Sequence, residues 1–309
     1  MGDCLTMRMA LVHNPSATSV TPRARVVIGK ALAADHDLTV HETSRRGHAT
    51  RLAQGAAADG ADVVVVLGGD GTVNEAANGL AGSHTALGVL PGGSTNVFAR
   101  TIGMTNDPIE ATGELLGALG RGSIRRVGLG TANGRYFCFH TGIGFDAAVV
   151  QMVETRSALK RYAGHTWFAW AGARQWGGMY DRRHPRLSVR HADGSIVDDG
   201  VFALVQNTNP YTFLGNRPFD TAPDAGFDRG LHVITFRRLD LVTILSALGT
   251  ALRGGGVRSG RGIVCRADQS EVVVTGHGPF PWQMDGEYLG EIEHLVLKKE
   301  PDVLDLVIP

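Results

Sequence analysis

Residues 63–80 read VVVVLGGDGTVNEAANGL, and this stretch decides the fold class. The run from Val63 to Val66 is apolar on both faces, which is typical of a strand buried in a parallel sheet. A glycine turn follows, and Thr72 to Leu80 has a helical pattern. A strand that leads through a glycine turn into a helix N-terminus presents backbone N–H groups to an anion, and glycine lets the backbone approach a phosphate closely. The stretch therefore predicts a phosphate-binding turn in an α/β domain.

Asp70 lies in the middle of this turn. Phosphate repels a carboxylate unless a cation lies between them, so one interpretation is that Asp70 contacts magnesium. The other interpretation is that Asp70 and Thr72 cap the helix. The turn lacks the lysine of a P-loop and differs from the dinucleotide-binding fingerprint, which disfavours both of those sites.

The same order of strand, small turn and helix occurs twice more. Residues 86–100, ALGVLPGGSTNVFAR, place a Pro-Gly-Gly-Ser turn after a strand, and residues 9–16, MALVHNPS, end a strand on Asn-Pro-Ser. The carboxyl ends of parallel strands form one crevice in open α/β sheets, so we expect the three turns to lie together. Chance repetition of glycine-rich turns is the alternative.

The chain divides into two regions that differ in their pattern of predicted strands and helices. Before about Gly128, strands alternate with helices, which predicts a doubly wound parallel sheet. The predicted strands are 9–13, 38–42, 61–67 and 86–90, and the predicted helices are 21–34, 48–59, 72–80, 95–101 and 108–119. After Gly128, short strands at 136–140, 186–191, 201–206, 231–236, 262–266, 271–275 and 295–299 predict an antiparallel β-sandwich. A helical insertion from Ala147 to about Tyr180 contains an aromatic segment, 162–180, which is expected either to pack in the core or to line a lipid entry at a membrane surface.

Composition excludes several classes of protein. The chain has 309 residues, enough for two domains, and 30 basic side chains balance 30 acidic ones, which argues against a nucleic-acid binder. Three widely spaced cysteines predict free thiols in a reducing compartment. The longest stretch without Asp, Glu, Lys or Arg, 76–99, contains Asn78, His84 and Pro91, so it does not fit a membrane span.

Several motifs together resemble the soluble diacylglycerol kinase catalytic-domain family, which includes bacterial lipid kinases and is related to sphingosine and ceramide kinases. The matching elements are NPS at 14–16, Thr43 followed by GHA at 47–49, GGDGTVNE at 68–75, LPGGSTNVFAR at 90–100, HTGIGFD at 140–146, APDA at 222–225 and DGE at 285–287. The resemblance covers essentially the whole chain. GGDGT alone is shared with NAD kinases and phosphofructokinases, whereas the second turn with its helix and the late DGE are more specific.

The resemblance implies an ATP-binding α/β domain at 1–127, joined by a returning segment at 300–309, and a β-sandwich domain for the lipid at 128–299, with the active site in the cleft between them. It implies Mg²⁺ at Asp70 and a proton acceptor at Glu287, with Asp285 beside it. Without the resemblance, Asp285-Gly286 is simply a hairpin turn. The ATP contacts implied are Asn14, Pro15, Ser16, Thr43, Gly68, Gly69, Asp70, Gly71, Thr72, Val73, Asn74, Gly93, Ser94 and Asn96.

Three positions depart from the family pattern. Val97 stands where relatives have an acid after the Asn of the second turn, and Gly128 stands where an Asp is common. These acids help to hold magnesium through water in relatives. Arg229 replaces an Asp that helps to bind a structural metal, so we expect no tightly held metal in the sandwich.

The leading hypothesis is an ATP-dependent lipid kinase that phosphorylates a primary hydroxyl of a membrane lipid, with diacylglycerol converted to phosphatidic acid. It would be cytoplasmic and transiently bound at the inner face of the membrane, with no nucleic-acid partner, and a homodimer is left open. One alternative, favoured by the three departures, is a catalytically weak regulator that binds nucleotide or lipid. The other is a soluble-substrate kinase of the NAD kinase type, which is disfavoured because no segment resembles the nicotinamide-binding part of that family.

Overall fold

The computed structural model describes residues 6–15, 17, 19–155, 168–181, 184–260 and 262–309. Ser16, one of the expected ATP contacts, and residues 162–167 of the aromatic segment lie outside the described residues. The chain divides into two compact units. One consists of Met1–Leu129 with Pro301–Pro309, and the other is Gly130–Glu300.

The first unit contains a parallel sheet, as predicted. Its strands are β1 (Arg8–His13), β2 (Asp37–Glu42), β3 (Val63–Gly68) and β4 (Ala86–Pro91), in the order β2-β1-β3-β4. Every residue of β3 and β4 is buried, which explains their unbroken apolar sequence. The end of β16 (Glu287–Val307) continues this sheet, because Leu306 pairs in parallel with Leu87.

Helices follow the strands in the alternating order that the sequence predicts. They are α1 (Pro22–Leu32), α2 (His48–Ala58), α3 (Asp70–Leu80), α4 (Val97–Thr101) and α5 (Pro108–Gly120). Local signals fix two of their starts: the Thr21 and Asp107 side chains accept backbone N–H groups in the first turns of α1 and α5, and each helix has proline in its first turn.

The second unit contains the predicted antiparallel strands. They are β5 (Ile124–Ala132), which begins in the first unit, β6 (Arg135–Phe137), β7 (His140–Ile143), β8 (Leu187–His191), β9 (Ile196–Gly200), β10 (Phe202–Gln206), β11 (Thr212–Leu214), β12 (Arg217–Phe219), β13 (Leu231–Phe236), β14 (Ile263–Gln269) and β15 (Glu271–Met284). The order is β14-β13-β10-β7-β15-β16. β8 and β9 extend from β15, β6 and β5 extend from β16, and β11 and β12 form a separate pair.

The long β15–β16 hairpin organises this unit. The first part of β15 pairs with β8 and its last part pairs with β7, and the register of the hairpin shifts between Thr275 and Phe280. Side chains from both groups of strands, such as Val189, Val205 and Phe280, form one buried cluster, as in a sandwich. The sequence predicted only short strands at 271–275 and 295–299, because Gly276, Gly278 and Pro281 interrupt the apolar pattern.

The helical insertion is confirmed in its described part, and one further helix escaped prediction. α6 (Phe145–Glu154) begins the insertion, and residues 168–174 are helical and lead into a π-helix at Gln175–Met179. The helix missed from the sequence is α7 (Leu241–Leu252), which the Asp240 side chain caps by accepting the N–H of Thr243. Among the described residues, no helix combines the length and the apolar character needed to cross a bilayer.

Candidate functional site

The two glycine turns of the first unit pack directly against each other. The N–H of Gly92 donates to the carbonyl of Gly68 at 2.8 Å. A Cβ on Gly92 would lie 2.9 Å from the Cα of Gly68, and one on Gly93 would lie 2.8 Å from the Cα of Gly69. A side chain at either position would clash with the backbone of the other turn. Gly92 and Gly93 are therefore required for the two turns to pack against each other.

The start of α3 has space on its outer side. Gly71 is exposed, and no heavy atom lies within 4 Å of the position that its Cβ would occupy. In contrast, a Cβ on Gly68 would lie 2.8 Å from the Cβ of Thr72. Ser94 is exposed on the neighbouring turn. The N-terminus of a helix carries partial positive charge, so this open first turn suits an anion.

The other expected nucleotide contacts lie at the same edge of the sheet. The N–H of Asn14 donates to the carbonyl of Leu67 at 3.1 Å, and the N–H of the buried Thr43 donates to the carbonyl of His13 at 2.9 Å. The Asn14 amide nitrogen lies 3.5 Å from the Thr72 hydroxyl. The strand ends therefore bring together Asn14, Pro15, Thr43 and the turns at 68–71 and 91–94.

Asp70 has a structural task that the sequence did not indicate. Its two carboxylate oxygens accept the N–H groups of Val97 at 3.0 Å and Phe98 at 2.9 Å. These N–H groups begin α4, so Asp70 caps a neighbouring helix instead of its own. This contact joins the GGDGT turn to the helix after the second turn.

Asn96 closes the second turn on itself. Its side-chain oxygen accepts the N–H of Gly93 at 2.7 Å, and its side-chain nitrogen donates to the carbonyl of Gly93 at 2.9 Å and to the Asn106 oxygen at 2.8 Å. Its backbone is left-handed, with φ of 51°. The side chain thus serves the shape of the turn, and a nucleotide contact through Asn96 stays a prediction.

Glu75 was not predicted as a site residue, although it ends the GGDGTVNE motif. Its carboxylate accepts the N–H groups of Gly47 at 2.7 Å and Ala49 at 3.0 Å, which hold the start of α2 beside α3. The side chains of Val73 and Asn74 are buried within the unit. Contact of Val73 with a nucleotide would therefore be limited to its backbone.

In the second unit, Asp285 does not point outward from the hairpin. It is 7% exposed, and its carboxylate accepts the N–H groups of Cys138 at 2.7 Å, Phe139 at 2.9 Å and His140 at 3.0 Å. The Asp285 carboxylate therefore binds backbone groups of its own unit and is not free at the tip of the hairpin. The left-handed backbone of Asp285, with φ of 48°, completes a two-residue turn with Gly286, as its Asp-Gly sequence predicts.

Glu287 follows the turn and meets a partner that the sequence did not indicate. Its carboxylate lies 2.8 Å from the guanidinium of Arg135, and its side chain is 18% exposed. Arg135 begins β6, and β6 is joined to β7 by the segment whose N–H groups bind Asp285. Glu287 thus binds the start of β6, and Asp285 binds the segment that joins β6 to β7.

A buried chain of hydrogen bonds supports the turn from the other side. Gln283 accepts the N–H of Gly286 at 2.8 Å and donates to Asp146 at 2.7 Å, and the Tyr211 hydroxyl donates to Asp146 at 2.6 Å. Burial raises the pKa of Asp146, and the hydrogen bonds from Tyr211 and Gln283 oppose that effect. A Cβ on Gly142 would lie 1.7 Å from the Asp146 carboxylate, so the glycine of HTGIGFD makes room for this acid.

The structure shows which groups surround the three residues that depart from the family pattern. Val97 is buried and gives its N–H to Asp70, and Gly128 is buried in β5. The Arg229 guanidinium lies 3.9 Å from the Asp224 carboxylate. In the part of the chain that the structure describes, no three His, Cys, Asp or Glu side chains form a group that could hold a metal ion. The absence of a structural metal stays a prediction.

Known proteins share this fold. A crystal structure of a diacylglycerol kinase from Bacillus anthracis str. Sterne matches with a TM-score of 0.69 at 20% identity, covering 98% of this chain and 97% of that one. An NAD kinase from Archaeoglobus fulgidus, solved in complex with ATP, matches with a TM-score of 0.50 at 12% identity, covering 97% and 93%. At these identities the likeness concerns the fold alone, and it defines a class that includes both kinds of kinase.

Sequence comparison is more specific within this class. The model of the diacylglycerol kinase catalytic domain matches residues 8–132. The diacylglycerol kinase of Staphylococcus aureus (strain JH9) is 32% identical over 306 residues, which cover 96% of this chain and 91% of that protein. The chain belongs to the diacylglycerol kinase catalytic-domain family, and it is thereby a member of a family of phosphotransferases.

Proposed function

We propose that the protein is an ATP-dependent lipid kinase that phosphorylates a primary hydroxyl of a membrane lipid, with diacylglycerol converted to phosphatidic acid. The observation that carries the proposal is the pair of joined glycine turns at the carboxyl ends of β3 and β4, in a chain of this family. The relative from Staphylococcus aureus is named for diacylglycerol, which makes that lipid the first substrate to test.

The open first turn of α3 supports a site for the phosphates of ATP. Gly71 lets a ligand come close to the backbone there, and the helix N-terminus favours negative charge. Backbone N–H groups that are already in place need no rearrangement as charge develops on the transferred phosphoryl group. We assign the ATP phosphates to this turn and to Ser94 of the neighbouring one.

In the proposed reaction, the lipid hydroxyl oxygen attacks the γ-phosphorus. The bond from that phosphorus to the bridging oxygen of the β-phosphate breaks, and ADP leaves. The hydroxyl proton passes to the Glu287 carboxylate, which the guanidinium of Arg135 holds in one orientation. Asp285 serves as a positioning residue, because it fixes the turn that carries Glu287 to the backbone of Cys138, Phe139 and His140.

The donor set at the turn fits Mg²⁺. The carboxylate of Asp70 is the kind of oxygen donor that Mg²⁺ prefers, and Mg²⁺ usually retains waters and substrate phosphates as its other ligands. Asp70, whose oxygens also accept the N–H groups of Val97 and Phe98, would hold Mg²⁺ together with the nucleotide, because the described residues contain no acidic cluster that could hold a metal alone. When bound, Mg²⁺ neutralises charge on the phosphates.

A kinase of a membrane lipid must reach its substrate at a membrane surface, so we propose that the protein is cytoplasmic and binds the inner face of the membrane transiently.

The regulator alternative is the second candidate, because Val97 leaves Asp70 without the neighbouring acid that relatives have. The NAD kinase alternative has only a likeness of fold in its favour.

Labelled ATP offered with lipid separates these candidates. The protein is incubated with γ-labelled ATP, Mg²⁺ and detergent micelles that contain a total bacterial lipid extract, pure diacylglycerol or no lipid, with NAD in a parallel reaction. We expect organic-soluble label that migrates as phosphatidic acid, and ATP consumption that depends on lipid.

Other outcomes would contradict the proposal in recognisable ways. Label in a different lipid would change the substrate and retain the lipid kinase. Label in NADP would favour the soluble-substrate kinase. ATP binding without any consumption would favour the regulator.

A further inference from the structure

α7 exposes an apolar stripe to solvent. Leu241, Val242, Leu245 and Leu248 are 55%, 78%, 57% and 42% exposed. At 100° per residue these positions fall within about a third of the helix circumference, so they form one face. Exposed apolar patches of this kind mark binding surfaces.

The opposite face fixes the orientation of the helix. Ala247 and Ala251 are buried in a core cluster of the second unit, and Ile244 packs against the same cluster. No residue of α7 is charged. The stripe is therefore held outward by the fold, and the small polar side chains of Thr243, Ser246 and Thr250 lie along one edge of it.

Arginine side chains lie at both ends of α7. Arg237 and Arg238 precede the helix, Arg253 and Arg258 follow it, and all four are exposed. Arg237 lies 2.6 Å from Asp199, and the exposed Asp240 caps the helix, so these two carboxylates offset the positive charge of the arginines before α7. An apolar face with arginine at its ends is complementary to acyl chains beneath anionic phosphate groups.

The described part of the aromatic segment, residues 168–180, contacts the start of α7 through Trp176. The indole N–H of Trp176 donates to the carbonyl of Leu239 at 2.7 Å. In the same segment Trp170 and Met179 are 42% and 59% exposed, and the Arg174 guanidinium lies 5.6 Å from the centre of the Trp170 ring. Tryptophan and arginine both suit the level of lipid headgroups, where one end is apolar and the other is wet.

We propose that α7 is a membrane-docking helix that lies flat in an anionic phospholipid bilayer, with its apolar stripe at the acyl boundary and the flanking arginines on lipid phosphates. A bilayer is favoured over a second copy of the chain because pairing two stripes would bring arginines of like charge together at the helix ends. The proposal rests on the proposed function only in that a lipid kinase needs a membrane surface, and vesicle binding can be measured without turnover.

Vesicle sedimentation with Leu245→Glu tests this surface. The full chain is spun with phosphatidylcholine vesicles, with or without phosphatidylglycerol. Ile109→Glu is the matched control, because Ile109 is an apolar helix residue of the first unit that is 47% exposed. We expect the parent to bind the anionic vesicles preferentially, Leu245→Glu to lower that partition about tenfold, and the control to bind like the parent.

Two further measurements keep the result interpretable. With a short-chain diacylglycerol dissolved in water, Leu245→Glu should turn over like the parent, whereas turnover on vesicles should fall with binding. If neither protein phosphorylates any lipid, the proposed function fails while the sedimentation result still decides the docking surface. Parent-like vesicle binding by Leu245→Glu would overturn the proposal, and so would conversion of a parent dimer to a monomer, measured by analytical ultracentrifugation without lipid.

Discussion

The side chain of Asp70 belongs to the proposed phosphate site and also caps the start of α4. Asp70→Asn removes one acceptor of the two backbone N–H groups and the negative charge. We expect a loss of about 0.5–2 kcal/mol in the free energy of unfolding, as for other helix caps, together with loss of activity and a higher Mg²⁺ midpoint. Urea unfolding and Mg²⁺ titration of turnover measure the two effects.

Asp107→Asn is the matched control for Asp70. Asp107 caps α5 through the N–H groups of Ile109 and Glu110, at 2.9 and 3.0 Å. We expect a similar loss of stability with turnover and Mg²⁺ midpoint unchanged. If Asp70→Asn lost stability alone, capping would be the whole role of Asp70.

Glu287→Gln tests the proposed proton acceptor. The substitution keeps the shape of the side chain and removes its basicity, so turnover should fall by about 10² to 10⁴ while ATP affinity changes little. Arg135→Gln is the control, because it breaks the 2.8 Å ion pair and leaves the carboxylate in place. We expect it to lose less turnover than Glu287→Gln, and the reverse order would assign the chemistry to Arg135.

Asp285→Asn should behave differently from Glu287→Gln. The carboxylate of Asp285 is buried on three backbone N–H groups, and an amide would turn an N–H against one of them. We expect a loss of about 2–4 kcal/mol in the free energy of unfolding, because a charged acceptor is lost and a buried donor is left unsatisfied. The melting temperature should fall for Asp285→Asn and stay nearly constant for Glu287→Gln.

His140 makes the fold sensitive to acid. Its ring packs 4.2 Å from the ring of Tyr211, and neither ring nitrogen has a hydrogen-bond partner in the described part of the chain. Burial lowers the pKa of His140 to about 3 from 6.5. Below pH 6.5, His140 is therefore protonated in the unfolded chain but stays neutral in the folded chain. The free energy of unfolding decreases as the pH falls toward 3.

His140→Phe should remove that component. The free energy of unfolding of the variant, relative to the parent, should rise by up to about 1.4 kcal/mol per pH unit as the pH falls from 6.5. Urea unfolding at several pH values measures this difference. Parallel curves for the two proteins would mean that His140 takes up its proton in the folded state.

The residues of the site were only partly predictable from the sequence. The glycine turns and Asp285-Gly286 have short-range signatures, so their positions and turn types could be inferred. The contacts of Asp70 with α4, of Glu75 with α2 and of Glu287 with Arg135 join residues far apart in the chain. No local pattern encodes such pairs, and a carboxylate that serves backbone N–H groups cannot be told from a solvated one by its sequence neighbours.

Among the elements, the two glycine turns form one packed unit, and Gly92→Ala tests it. The new Cβ would lie 2.9 Å from the Cα of Gly68, so the turns would have to separate. We expect a loss of about 1–3 kcal/mol in the free energy of unfolding and a weaker stabilisation by ATP. Gly113→Ala on the exposed side of α5, with no heavy atom within 4 Å, should instead gain about 0.5–1 kcal/mol.

Equal urea midpoints for Gly92→Ala and the parent would show that the turns separate without cost.

The parallel strands and their helices were predictable because burial on both faces, proline starts and glycine turns are local signals. α7 was missed because its outward face is as apolar as its inward one, and its small polar residues Thr243, Ser246 and Thr250 form only a narrow stripe beside these faces. The feature that hid this helix from prediction is the one that supports a membrane role.

At the scale of the whole molecule, the first unit is built from two distant parts of the chain. Pro301–Pro309 belongs to it, and Leu304, Leu306 and Val307 are fully buried. A chain that enters one unit, forms a second and returns to the first makes the first dependent on its last residues. We therefore expect a defect at the C-terminus to loosen the sheet that carries the proposed ATP site.

Leu306→Ala tests this dependence. Leu306 pairs with Leu87 of β4, and loss of its fully buried side chain should cost about 2–5 kcal/mol. Hydrogen exchange should then become faster at the amides of β4 while those of β10 in the second unit keep their rates, because the free energy of opening falls only in the first unit. Leu214→Ala, at a position 42% exposed in β11, is the control and should leave β4 unchanged. Unchanged exchange in β4 of Leu306→Ala would mean that the returning strand is dispensable, and equal acceleration in β10 would mean that the two units open together.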